Sequence, residues 1–124
     1  LLGSNGVHYG GWILPGLGLM QGSLQSNTAQ LPLATRGEVH HGFGISTNDA
    51  IIGGCDAAQI GAIQYGIQLA KEMNCPVEKI WIDGGNAKIL SNEVARLKLP
   101  GSLITEPIES LVLRGIWSWL LQNI

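Results

Sequence analysis

Charged side chains are scarce in this chain of 124 residues, with Asp, Glu, Lys and Arg together making up 13%. Seven basic residues stand against nine acidic ones, a formal net charge of −2, and the basic ones (Arg36, Lys71, Lys79, Lys88, Arg96, Lys98 and Arg114) are scattered. Such a pattern excludes a surface built to neutralise nucleic-acid phosphates. It equally excludes a basic helix lying on a membrane. Cysteine is limited to Cys55 and Cys75. Both fall in one predicted helix, where twenty residues separate them by about 30 Å, too far for a disulfide. Two unpaired thiols suit a reducing, cytoplasmic compartment. There is no Cys-x-x-Cys, no helically spaced histidine pair and no acidic cluster, which excludes a structural metal site. No apolar run reaches the roughly 18 residues of a spanning helix, since residues 111–124 are interrupted by Arg114, Ser118, Gln122 and Asn123.

Apolar residues, in contrast, are plentiful at 45%. That excess rules out disorder and supplies the core of a single domain. The low charge fraction leaves less polar surface than a self-contained domain of this size ordinarily has, and the chain opens Leu1-Leu2-Gly3-Ser4 with neither an initiator Met nor a signal-peptide pattern. The expectation is a piece of a longer protein.

Periodicity predicts the elements. Leu1-Leu2, a Gly3-Ser4-Asn5-Gly6 turn and residues 7–14 read as a hairpin, stopped by Pro15-Gly16. Leu17, Met20 and Leu24 predict a short amphipathic helix reaching about Thr28. Residues 32–45 have no period and read as a loop. Ser46-Thr47-Asn48-Asp49 has the shape of a capping box ahead of a long helix to Met73, ended by Asn74-Cys75-Pro76. Residues 79–83 read as a buried-type strand, Gly84-Gly85 as a turn, and Ala87, Leu90, Val94 and Leu97 as a helix closed by Pro100-Gly101. A last strand at Leu103-Ile104-Thr105 and a helix over 110–121 complete an α/β layer structure with a mixed sheet.

Three features bear on chemistry. Gly54, Ala58, Ala62, Gly66 and Ala70 recur every four residues on one face of the long helix, and such a row lets another helix approach closely, within the fold or between subunits. Thr47 stands at the mouth of that helix, where free N–H groups and the dipole favour an anionic ligand; simple capping by Ser46 or Thr47 accounts for the same residues. Gly84-Gly85 opens a helix after a strand, an arrangement that admits a nucleotide close to the backbone or serves as a plain connection. His40 and His41 are adjacent and would point to opposite sides of an extended segment, so they are read, with His8, as surface residues. Trp117 and Trp119 read as core or interface anchors.

Taken together, several segments resemble the type III pantothenate kinases, also called the Bvg accessory factor family. They are Gly10-Gly11-Trp12-Ile13-Leu14-Pro15-Gly16-Leu17, residues 24–32, Gly44-Ile45-Ser46-Thr47-Asn48-Asp49-Ala50-Ile51, residues 80–87, and Leu111-Val112-Leu113-Arg114-Gly115. They occur in the family's order across nearly the whole chain. The resemblance implies an acetate-and-sugar-kinase/actin-like (ribonuclease H-like) fold, in which residues 1–124 are the C-terminal one of two domains and the N-terminal domain is absent. It implies a homodimer that phosphorylates pantothenate with ATP in the first step of coenzyme A synthesis, using Mg²⁺ and a monovalent cation (K⁺ or NH₄⁺). By position, Thr47 matches the family's pantothenate-contacting threonine, and Gly84 and Gly85 match the turn near the adenosine. Asp83 departs from the family's usual Thr or Ser, and a carboxylate there would repel nucleotide phosphates. Asp83-Gly84-Gly85-Asn86 also imitates part of the actin-like Asp-x-Gly-Asn-Thr phosphate loop, but that loop precedes a strand and this one precedes a helical pattern. The family's phosphate loops and its Gly-x-Asp-Arg segment with the catalytic base have no counterpart here. No catalytic or metal-binding residue is therefore assigned, and the chain alone is expected to be inactive. Two other classes fit the same residues: a non-catalytic dimerising or regulatory module, and a sugar kinase of the same superfold.

Overall fold

The capping box over residues 46–49 starts a helix of 26 residues, Thr47–Glu72, the longest element of the chain. A computed structural model describes residues 1–28, 31, 33–37, 42–97, 99 and 104–124, the side chains of 104–107 excepted. Its elements are α1 (Leu17–Asn27), α2 (Thr47–Glu72), β1 (Lys79–Ile82), α3 (Ala87–Arg96), β2 (Ile104–Pro107) and α4 (Leu111–Asn123). They fall into two compact units, Leu1–Pro76 and Val77–Ile124.

In the first unit α1 packs on α2. Leu17, Ala34, Ile51, Cys55 and Ala70 are its buried apolar residues. Met20 and Leu24 are half-buried on the same side of α1 as Leu17, as their spacing predicts. The end of α2 is set one step before the proline: Asn74 takes φ 56, its N–H donates to Lys71 O, and the Cys75 N–H donates to Ala70 O. That is a Schellman turn with asparagine in the left-handed position. Pro76 follows a helix already closed, and Cys75 lies beyond the helix predicted to contain it. Both cysteines are free.

The predicted hairpin is reduced to a single antiparallel bridge, Leu2↔His8, with the Tyr9 N–H donating to Leu1 O. Residues 7–14 form no strand. The backbone leaves the extended region at Gly10 (φ 117), and a two-stranded ribbon without a third strand is marginal in water. The mixed sheet is accordingly replaced, among the described residues, by one two-stranded parallel sheet.

That sheet belongs to the second unit. β1 pairs with β2 from Lys79↔Ile104 to Ile82↔Pro107, and α3 connects them and packs on both. Parallel neighbours need such a crossover. Ala87, Leu90, Val94 and Leu97 face inward as their period predicts, with Val94 only 1% exposed. Leu103, predicted to open β2, and His40 and His41 lie outside the described residues. Within this unit α4 packs against neither α3 nor the β pair. Trp117 and Trp119 are 64% and 62% exposed, so they are not core residues of this chain.

Candidate functional site

Ser46 and Thr47 divide the start of α2 between them. Ser46 is the N-cap: its Oγ accepts the Asp49 N–H at 3.1 Å, and its hydroxyl donates to Asp49 Oδ2 at 2.7 Å. Ser46 thus caps the helix without Thr47. Thr47 is the first helical residue, exposed, and its hydroxyl makes no hydrogen bond among the described residues.

The backbone leading to Thr47 is forced into place. A Cβ on Gly44 would lie 2.2 Å from Ala50 N and 2.5 Å from Asp49 C, so residue 44 lies directly against the first turn of α2. Only glycine permits that approach. Phe43 and Ile45, on either side of it, are fully exposed. A second loop is fastened beside them. Asn48 grips Thr35 on both sides, accepting its N–H at 2.9 Å and donating to its carbonyl at 3.0 Å. Arg36 meets Asp56 through two parallel bonds of 2.9 and 2.6 Å. Arg36 and Asp56 both retain some solvent contact, so this bidentate pair contributes about 1 kcal/mol at most. Cys55, beside Asp56, is buried, and burial pushes its thiol above the ordinary range; Asp56 adds to the rise and Arg36 opposes it.

The small-residue row is divided. Gly54 and Ala58 are exposed, Ala62 and Gly66 half-buried, Ala70 buried. The covered end is roofed by residues 9–14 and not by a helix. Trp12 lies 3.4 Å from where a Gly66 Cβ would be and stacks on Tyr65 with ring centroids 5.5 Å apart. The Gln59 amide donates to Pro15 O at 2.7 Å and holds the far end of the roof. Beneath it is an open cleft of about 350 Å³, floored by Ala62, Gly66 and Ala70. Among the described residues no charged side chain lines it. Periodicity located its floor; the stacking of Trp12 on Tyr65, fifty-three residues apart, left no local signal.

In the second unit, Gly84 takes φ 98, and nothing stands within 4 Å of a Cβ position on either Gly84 or Gly85. A ligand could reach this backbone. A helix follows, as the sequence predicts, and the Ala87 N–H donates to Gly84 O at 3.0 Å. Asp83 does not stand free beside the turn: its carboxylate accepts the Gly84 N–H at 2.7 Å and the Leu111 N–H at 2.6 Å.

Among the described residues no three His, Cys, Asp or Glu side chains converge on a cation position. Asp49, Asp56 and Asp83 are each engaged as above. These side chains do not fit a Mg²⁺ site. No helix among the described residues is long and apolar enough to cross a membrane.

The profile of the family "Type III pantothenate kinase" matches residues 1–69, a stretch that holds Thr47 and ends before Gly84. Among curated proteins, the type III pantothenate kinase of Janthinobacterium sp. (strain Marseille) is 37% identical over 125 residues, covering 98% of this chain and 45% of that protein. The one from Chlorobaculum parvum is 35% identical over 94% of this chain and 42% of its own length. The one from Colwellia psychrerythraea is 30% identical over 88% and 43%. The chain spans less than half the length of these relatives, in their C-terminal part. No solved structure matches it significantly. With more than half of its residues matched by the profile and relatives at 30 to 37% identity along most of its length, the chain belongs to the type III pantothenate kinase family.

Proposed function

We propose that this chain is the C-terminal domain of an actin-like kinase that phosphorylates pantothenate with ATP. Thr47 contributes to the pantothenate site, Gly84 and Gly85 to the adenosine side of the nucleotide site, and α2 to a homodimer contact. The observation that carries the reading is the division of labour at α2: Ser46 caps the helix, so the Thr47 hydroxyl is spared for a ligand. Pantothenate offers a carboxylate, hydroxyls and an amide, any of which a short hydroxyl can bond. Asp49 sits at the same helix mouth and favours the uncharged groups over the carboxylate. Phosphoryl transfer needs phosphate-positioning loops, a base and cations. In this reading the N-terminal half supplies those and holds Mg²⁺ and the monovalent cation, and the 124-residue chain alone does not turn over.

Thr47→Val in the whole kinase keeps the shape and removes the hydroxyl. Pantothenate KM should rise between about twofold and tenfold, the span of one neutral hydrogen bond, with ATP KM and the melting temperature unchanged because Ser46 still caps. Unaltered pantothenate kinetics would overturn the assignment. Gly85→Ala probes the nucleotide end: a Cβ there meets nothing in the fold, so stability should hold while ATP KM rises. The dimer contact is tested at Ala58, which is exposed. Ala58→Leu should shift light scattering from dimer to folded monomer, and an intact dimer would remove α2 from the interface.

A further inference from the structure

Asp83 directs one carboxylate at two backbone amides from different elements. Oδ1 accepts the N–H of Gly84, the next residue, and Oδ2 accepts the N–H of Leu111, twenty-eight residues on. Leu111 is the first residue of α4, and the N-cap before it, Ser110, sits at φ 58 and makes no side-chain cap bond. The amide left open at that helix end is filled from a distance by Asp83, whose charge is favoured by the positive end of the helix dipole. The Ile108 N–H donates to Ile82 O at 2.9 Å, so the pairing of β1 with β2 continues up to the same point.

We propose that Asp83 is a positioning residue: one oxygen fixes the amide of the Gly84-Gly85 turn, and the other fastens α4 to it, so that turn and helix move as one piece. A hydroxyl offers a single oxygen to such amides, whereas a carboxylate offers two with several lone pairs. Aspartate here therefore makes a connection that Thr or Ser could make only by half. The functional consequence rests on the nucleotide reading above. A turn held in its left-handed shape keeps an open approach for the uncharged nucleoside end of the ligand, and the amide of Gly84 is already occupied, so it does not serve a phosphate.

The test compares wild type, Asp83→Ala and Asp83→Asn in the native-length protein. Amide hydrogen exchange at Gly84 and Leu111 is measured together with binding of adenosine and of ATP by calorimetry. Asp83→Ala should accelerate exchange at both amides about tenfold or more and weaken adenosine about three- to tenfold. Asp83→Asn keeps one acceptor oxygen and should fall between, which also keeps the test alive should the alanine variant not fold. Unchanged exchange at Leu111 in both variants would overturn the tie to α4. Faster exchange with unchanged adenosine affinity would overturn the positioning role, as would tighter ATP with unchanged adenosine, the mark of simple charge repulsion. Wild type that binds no adenosine, with both amides protected, would overturn the nucleotide reading while the exchange arm still supports the tie.

Discussion

In residues 1–76 the loops are fastened to one long helix: Gln59 holds Pro15, Asn48 holds Thr35, Asp56 holds Arg36, and Tyr65 carries Trp12. In residues 77–124 order comes from a β-α-β core around Ile82 and Val94, with Asp83 reaching to the start of α4. The first unit spends its polar side chains on positioning irregular backbone. The second buries an apolar face of α3 and leaves α4 with Leu111, Val112, Leu113, Ile116 and both tryptophans exposed. The family profile covers most of the first unit and none of the second. The segment that positions Thr47 thus coincides with the part held by specific side-chain contacts, and irregular backbone needs such contacts because it has no ladder of its own.

That contrast can be broken by substitution. The largest effect is expected at Gly44. An added methyl collides with the backbone of Asp49 and Ala50, which cannot move without opening the first turn of α2. Gly44→Ala should cost about 3 kcal/mol or more by chemical denaturation. A cost under about 1 kcal/mol would mean that residues 42–45 are not seated on α2.

A matched pair of tryptophan truncations sharpens the comparison. Trp12→Ala removes the ring that stacks on Tyr65 and roofs the cleft, so about 1 to 2 kcal/mol should be lost even though Trp12 is 52% exposed. Trp117→Ala, at 64% exposure on α4, should change the stability of the chain by less than about 0.5 kcal/mol. Equal costs would show that α4 is packed as firmly as the roof over α2.

The smallest effect concerns the two thiols. Cys55 is 5% exposed with its thiol pushed up by burial, whereas Cys75 is half-buried in the turn after α2. Cys75 should react with a disulfide reagent at about pH 8 at least tenfold faster than Cys55. Folding favours the neutral form of Cys55, so its contribution is intact below the ordinary thiol value of 9.0 and is lost as the pH rises through the elevated one. The alkaline fall in melting temperature should therefore shrink in Cys55→Ala. Equal reaction rates at the two thiols would contradict the burial of Cys55.

Local chemistry alone was enough for the helices. The capping box at Ser46, the inward face of α3 and the start of α1 follow from hydrogen-bond needs and a period near 3.6, and these act within a few residues. The residue types at Thr47, Gly84 and Gly85 were legible for the same reason: an exposed hydroxyl at a helix mouth and a glycine pair after a strand are short-range patterns. Tertiary structure decided the rest. It reduced the expected strand over residues 7–14 to one bridge, because a strand needs a partner that sequence does not specify. It covered half of the small-residue row with a tryptophan loop. It also turned the Asp83 carboxylate onto an amide twenty-eight residues away. Each of these outcomes depends on which groups meet across long stretches of chain, and that pairing is set by packing and by the satisfaction of backbone amides, which no local period encodes.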